Sequence, residues 1–452
     1  MADDPDKDPE RNRLTARAGR FASVGVSAAG AAASAGFSAL FGGDAADRQI
    51  AAAMKAALGH TKGPLMKVAQ MMATIPDFLP PEYAEEFAQL QMNAPSMGWP
   101  FVQRRMRGEL GPEWEAKFQS FTREAVAAAS LGQVHRAVLP DGREVACKLQ
   151  YPEMASAVES DIGQMQGIVS LVKRMNRLVD PTAIGAEIAD RLREELDYER
   201  EAKHIALYRL MLAERPDIRP PEPVPELSTK RLLTMNWLEG RPLKSFLDAD
   251  QETRNRIATL LFHAWWGPMA RYGVIHGDPH LGNYNFPEDA ASLNLLDFGC
   301  VRIFPAAFVQ GVVNLYRGLD ANDDVAIRKA FETWGFGGLN DGAVEALTIW
   351  ARFIYGPMLE DRVRRVAEGV TPGMYGRKEV MEVKRRLSEH GPVAIPREFV
   401  FMDRAAIGLG AAFLHLDAEL NFKRLFEAQI EQFELEAVAA RQAGALAKVG
   451  LI

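Results

Sequence analysis

Apolar residues recur through Gln133–Leu139 and again through Glu144–Gln150, with Asp141-Gly142 between them, a pattern that predicts two β-segments joined by a turn. The apolar run Leu293, Leu295 and Leu296 predicts another short strand, and Leu232 to Trp237 a further one. Elsewhere the pattern is helical. Glu187 to Lys203 is rich in helix formers and has no Gly or Pro inside, so it predicts an unbroken helix with Asp197 and Glu201 at i, i+4 on one face. Met154 to Asn176 predicts a helix inserted ahead of it, and the chain from Leu238 onward is expected to be mainly helical. Pro80-Pro81 should end one helix, whereas Pro95 to Pro100 and Pro216 to Pro225 predict loops. Ile407, Phe413, Leu414 and Leu416 belong to apolar stripes expected in a core. No internal repeat is visible. The fold class implied is α+β.

Composition narrows this picture. A chain of 452 residues that is 48% hydrophobic can bury a large core, and a net charge of −7 argues against a nucleic-acid partner. Basic clusters at Arg362–Arg365 and Lys384–Arg386 are expected as solvated helix faces. Two cysteines, Cys147 and Cys300, exclude a disulfide scaffold and fit a reducing compartment. No charged residue occurs between Phe21 and Gly43, a run dominated by Ala, Gly and Ser. That run is long enough to cross a bilayer, but its small residues gain little on transfer, so a peripheral or dimerising segment and a flexible linker both remain open.

The candidate chemistry lies in His276-Gly-Asp-Pro-His-Leu-Gly-Asn283 and the later Asp297-Phe-Gly299. In phosphoryl transfer, a loop Asp orients or deprotonates the acceptor, an Asn five residues on holds Mg²⁺, and a second Asp at a nearby strand end holds Mg²⁺ against the phosphates. Asp278, Asn283 and Asp297 match those roles, and a hairpin between them would bring the three together. A metallohydrolase using His276, Asp278 and His280 as ligands is the competing reading, although no second His/Asp cluster completes such a site. Upstream, Val145-Ala-Cys-Lys148 places Lys148 on a strand as the phosphate-pairing cation. Where a Gly-rich loop would cover a nucleotide, the chain has Ala127-Ala128-Ala129-Ser130, stiffer because alanine disfavours positive φ. Cys300 to Tyr316 holds no Ser or Thr and no Ala-Pro-Glu signature, so a peptide-docking apparatus is not expected.

Together with Lys67-Val-Ala-Gln70 and Pro80-Pro-Glu-Tyr, these motifs resemble the UbiB/AarF family of atypical protein-kinase-like proteins, linked to ubiquinone biosynthesis, from about Arg20 to Phe426. The resemblance implies a bilobal kinase-like fold with a helical N-terminal KxGQ extension and a predominantly helical C-lobe. It implies ATP/ADP and Mg²⁺ as cofactors, Lys67 paired with Glu195 of an ExD motif that includes Asp197, Gln70 on the nucleotide side, and Glu201 as partner of Lys148. Ala69 replaces the motif glycine and Leu281 the second proline. The division expected is residues 1–43 as a disordered, small-residue-rich segment, 44–115 as the extension, 116–236 as N-lobe and 237–452 as C-lobe. Three functions follow as expectations: an ATPase acting near quinone-pathway lipids and proteins, a small-molecule or lipid kinase, or a nucleotide-gated lipid-binding module. A cytoplasmic protein, peripherally membrane-associated or homodimeric, is consistent with each.

Overall fold

The computed structural model describes residues 97–129, 131–152, isolated positions of 154–190, then 192–370, 375–390, 393 and 396–452. The uncharged run 21–43, the motif carrying Lys67 and Gln70, Ser130 and most of the inserted helix lie outside the described residues. The chain forms two compact units. Of the described residues, the smaller comprises those from Met97 to Gly163, Ala189–Leu196 and Thr229–Thr234, and the larger those of Asp197–Ser228 and Met235–Ile452. Asp197–Ser228, placed by sequence with the N-lobe, thus packs within the larger unit.

In the smaller unit a sheet runs β1 (Ser120–Phe121), β3 (Gly132–Val138), β4 (Glu144–Gln150), β6 (Leu232–Asn236), with β2 (Ala127–Ala129) also paired to β3. The strands β3 and β4 are antiparallel, and their turn closes at Gly142, whose φ of +87° suits glycine. Helix α1 (Trp99–Leu110) starts with Pro100 in its first turn, so the predicted loop ends two residues earlier than expected. Arg105 fastens α1 to the end of β4, donating from Nε to the Gln150 carbonyl at 3.1 Å and from Nη2 to that of Tyr151 at 3.2 Å. Its neighbour Glu109 accepts from Thr229 Oγ1 at 2.7 Å and Arg231 Nε at 2.9 Å. These buried charges are paired, as their desolvation requires.

The predicted helix 187–203 is broken. Glu195 and Leu196 form a turn, Asp197 becomes the N-cap of α2 (Tyr198–Met211), and its carboxylate accepts from Arg200 N at 2.9 Å. Aspartate competes for backbone donors and so favours a cap over a helix interior. Asp197 and Glu201 therefore do not share a helical face.

In the larger unit the apolar α3 (Gln251–Tyr272) is central, and α8 (Arg397–His415), α9 (Phe422–Ile430) and α10 (Leu435–Lys448) pack against it. It stops at Gly273, whose φ of +66° and bond to Met269 O form a left-handed cap. Beyond it, β8 (Val274–His276) pairs with β11 (Val301–Ile303), and a second sheet runs β5 (Ile218–Arg219), β10 (Leu293–Leu295), β9 (Tyr284–Phe286), β7 (Arg241–Pro242). The strand β5 thus interrupts the Pro-rich stretch predicted as loop. Helices α4 (Ala306–Ala321), α5 (Asp324–Thr333), α6 (Asp341–Tyr355) and α7 (Arg377–His390) complete the unit. Phe413 and Leu416 are buried as expected, whereas Ile407 and Leu414 are half-buried. Arg362–Arg365 is not a helix face. It is irregular backbone bridged at Arg364 to Leu420, with Arg365 ion-paired to Asp417 and Glu419. No described helix is long and apolar enough to cross a membrane.

Trp334 donates from Nε1 to Phe308 O at 2.9 Å and lies over Gly311 of α4, where a Cβ would meet its Cδ1 at 2.1 Å. Gly311→Ala should therefore lower unfolding free energy by about 1–3 kcal/mol through overpacking, measured by urea denaturation.

Candidate active site

The site in the larger unit is built on short strands following α3. β8 delivers His276, the loop 277–283 follows, and the β9–β10 hairpin returns the chain to Asp297. The register Leu295↔Tyr284 and the bond from Leu296 N to Asn283 O at 3.0 Å bring Asp297 alongside Asn283. Asn283 Nδ2 donates to Asp278 O at 3.0 Å and to its Oδ2 at 3.2 Å. With its nitrogen so engaged, the Asn283 amide oxygen is the end left for a cation. Asp297 Oδ1 accepts from Gly299 N at 2.9 Å, and the Asp297 carbonyl is hydrogen-bonded by His276 Nε2. Asp278 and Asn283 are thus in direct contact, and the hairpin register sets the backbone of Asp297 beside that of Asn283. Two carboxylates and a carboxamide are hard oxygen donors of the kind Mg²⁺ takes, few in number because that ion keeps several waters.

Gly277 explains why no larger residue follows His276. Its N–H donates to Cys300 O at 2.6 Å, and a Cβ there would lie 2.9 Å from that oxygen and 3.0 Å from Cys300 Sγ. On the other side, Pro279 rests on α8, where a Cβ at Gly408 would fall 2.3 Å from its Cγ. The loop is thus held by backbone contacts on both flanks. The metallohydrolase arrangement does not form. His276 is buried and turned to the Asp297 carbonyl, His280 accepts from Gly282 N, and no group of three His, Cys, Asp or Glu suited to a metal occurs among the described residues.

Helix α2 reaches the same turn. Glu201 Oε1 accepts from Phe298 N at 3.3 Å and His204 Nδ1 bonds Phe298 O at 3.2 Å. Tyr208 packs edge-on against Phe298 and His276, with centroids 5.2 and 6.2 Å away. Burial pulls His204 down to about 4, only partly opposed by its bond to Phe298 O, so it is neutral near pH 7. The Tyr284 hydroxyl is pushed up by burial and by the charge of Asp278.

In the smaller unit, Lys148 lies on β4 opposite Val134 and is almost fully buried. Ala127–Ala129 is a strand rather than a loop, in register with Val134, Gln133 and Gly132. None of the three alanines has positive φ, in keeping with their Cβ atoms. Gln133 is fully buried and holds Met97, accepting from its N at 2.7 Å and donating to its O at 3.2 Å. Glu195 is buried at 8% exposure in the turn ahead of Asp197. Cys147 is buried beside Thr234 and its thiol is pushed up to about 12 by burial, which makes it a packing residue. Cys300 is also buried and accepts from Arg302 Nη2.

The sequence profile of the ABC1 atypical kinase-like domain matches residues 89–331. The chain belongs to the ABC1, or UbiB/AarF, family. It is similar to the mitochondrial atypical kinase COQ8B of Danio rerio, 31% identical over 65% of this chain and 48% of that protein. It is also similar to AarF domain-containing protein kinase 1 of Xenopus tropicalis, 28% identical over 75% of this chain and 65% of that protein. The chain spans about half the length of COQ8B. Among solved structures, the Rv3197–erythromycin complex from Mycobacterium tuberculosis aligns with a TM-score of 0.58 at 28% identity, over 82% of this chain and 93% of that one. In this ABC1 chain two residues close to the site escaped the sequence reading, His204 and Tyr208. They follow Glu201 at i+3 and i+7 and so share its helix face, which is the signal that marks them.

Burial holds His135, His204 and His263 below the ordinary histidine value of 6.5, His204 and His263 at about 4. A depressed histidine pKa means that the unfolded chain binds the proton first, so stability is present above 6.5 and is lost as pH falls toward 4. The midpoint of thermal unfolding should drop across that window, and His263→Gln should flatten the dependence, read by calorimetry from pH 7 to 4.

Proposed function

We propose that this ABC1 protein is a nucleotide-dependent phosphoryl-transfer protein that binds ATP or ADP with Mg²⁺. The observation that supports this reading is the bonding of Asn283 to Asp278 together with the hairpin register that sets Asp297 beside Asn283 in the chain fold. Bound Mg²⁺ would neutralise charge on the phosphoryl group in transfer. Asn283 and Asp297 supply its protein oxygens, and Asp278 orients the acceptor and takes its proton. Lys148 supplies the cation for the α- and β-phosphates, Glu201 positions the Asp297-Phe298-Gly299 turn, and the Ala127–Ser130 segment covers the phosphates. Lys67, Gln70, Glu195 and Asp197 are assigned to the regulatory role that the family motifs imply.

The acceptor is water or a small hydroxyl compound rather than a peptide. Directly after Gly299 the chain enters β11 at Val301 and α4 at Ala306, so no extended segment is present there to dock and align a polypeptide. Resemblance to COQ8B, and to the UbiB/AarF family at large, favours work in isoprenoid quinone biosynthesis at a membrane surface, with lipid or quinone-pathway intermediates and proteins as partners.

The fate of the γ-phosphate tests this. ATP with Mg²⁺ should release phosphate, faster with anionic liposomes and a phenolic quinone-precursor mimic. Transfer of label to the phenol or lipid would replace hydrolysis by the small-molecule kinase reading, and retention of intact ATP would leave a binding module. Asp278→Asn should keep nucleotide binding and lower turnover by about 10²–10⁴-fold. Asp297→Asn should abolish the Mg²⁺ dependence of binding. Absence of any Mg²⁺-dependent nucleotide binding by the wild-type protein would overturn the proposal.

A further inference from the structure

Two consecutive carbonyls in the Asp297-Phe298-Gly299 turn are each held by a histidine from a different element. His276, at the end of β8, bonds the Asp297 carbonyl through Nε2, and His204, on α2, bonds the Phe298 carbonyl through Nδ1 at 3.2 Å. A carbonyl oxygen only accepts, so each neutral ring carries its proton on the bonded nitrogen. That choice leaves His204 Nε2 and His276 Nδ1 as buried acceptors with no protein partner among the described residues. A leucine at 204 would fill the space and remove the unpartnered Nε2 but would leave the buried Phe298 carbonyl without this donor, so packing alone does not account for a histidine. What the histidine adds is a donor. The backbone of Phe298 is gripped on both sides by one helix face, since Glu201 accepts from its N–H while His204 donates to its carbonyl oxygen.

We propose that His204 is a positioning residue for the Asp297 carboxylate. The Phe298 carbonyl belongs to the Phe298–Gly299 peptide, whose N–H donates to Asp297 Oδ1 at 2.9 Å, so a carbonyl free to turn would take that donor away from the carboxylate. Fixing the Phe298 carbonyl to α2 and the Asp297 carbonyl to β8 removes this freedom and holds the cation-facing oxygens in one place. This inference rests on Asp297 being a Mg²⁺ ligand, as proposed above.

The isosteric pair His204→Asn and His204→Leu separates donor from shape, because the Asn amide nitrogen takes the place of Nδ1. The readout is binding of a fluorescent ADP analogue to the full chain titrated with Mg²⁺, with affinity in EDTA as reference and the melting temperature as a check on folding. His204→Leu should raise the Mg²⁺ concentration for half-maximal effect on the order of tenfold, the usual scale for loss of a group that orients a metal ligand. Its affinity in EDTA should match that of the wild-type protein. His204→Asn should restore most of the Mg²⁺ response. Unchanged Mg²⁺ dependence in His204→Leu overturns the inference, as does equal impairment of both variants. If His204→Leu does not fold, a folded His204→Asn that responds to Mg²⁺ as weakly as that expected of the leucine variant overturns it alone. A wild-type protein with no Mg²⁺ response removes the Mg²⁺ reading itself, a result distinct from an unaltered variant beside a responsive wild type.

Discussion

The antiparallel pairing of Tyr284–Phe286 with Leu293–Leu295 is the constraint on which the candidate site depends. Its two strands are three residues each, too short to be stable alone, so their position is fixed by what surrounds them. Asn294 is buried inside the pair and is satisfied by Asn285 Oδ1 at 2.6 Å and Glu239 O at 3.0 Å. Gly240 permits this approach, because a Cβ there would lie 2.5 Å from Asn285 Oδ1. A one-residue slip would turn Asn294 out of this network and carry Asp297 away from Asn283. Register in this hairpin and geometry at the site are therefore the same quantity.

Around the hairpin, loops are fixed mainly by backbone hydrogen bonds and close contacts, and less by side-chain packing. Gly277 lies against Cys300 and Pro279 against Gly408, while imidazoles hold the two carbonyls of Asp297 and Phe298. Such contacts tolerate little displacement, since a methyl group at 277 or 408 would overlap backbone or a rigid ring. The loop between β8 and β9 thereby gains order that three-residue strands could not confer.

The β3–β4 hairpin was legible because its apolar runs are long and its turn residues carry their own conformational preference. Asp278, Asn283 and Asp297 were legible for a different reason. Their spacing encodes a loop and a hairpin of fixed length, so identity and separation together specify where the oxygens end. The helix over 187–203 was read as continuous because all its residues tolerate a helix, and nothing local distinguishes Asp197 as a cap from Asp197 as a solvated side chain. Arg362–Arg365 misled in a similar way. Arg362 and Arg364 pair with nearby Glu360, but the partners of Arg365, Asp417 and Glu419, lie more than fifty residues away, beyond the reach of any local pattern.

What the sequence determined by itself is the set of local choices, strand, turn and loop around the candidate site, and membership of the ABC1 family. The tertiary structure alone decided which polar groups meet. Glu201 and His204 lie more than ninety residues from Phe298, yet they bond its N–H and its carbonyl. Arg105 and Glu109 likewise find Gln150, Tyr151 and Arg231 only after the smaller unit has closed. The physical reason is that propensity and periodicity act over a few residues, whereas satisfaction of a buried polar atom depends on whichever distant segment the folded core brings beside it.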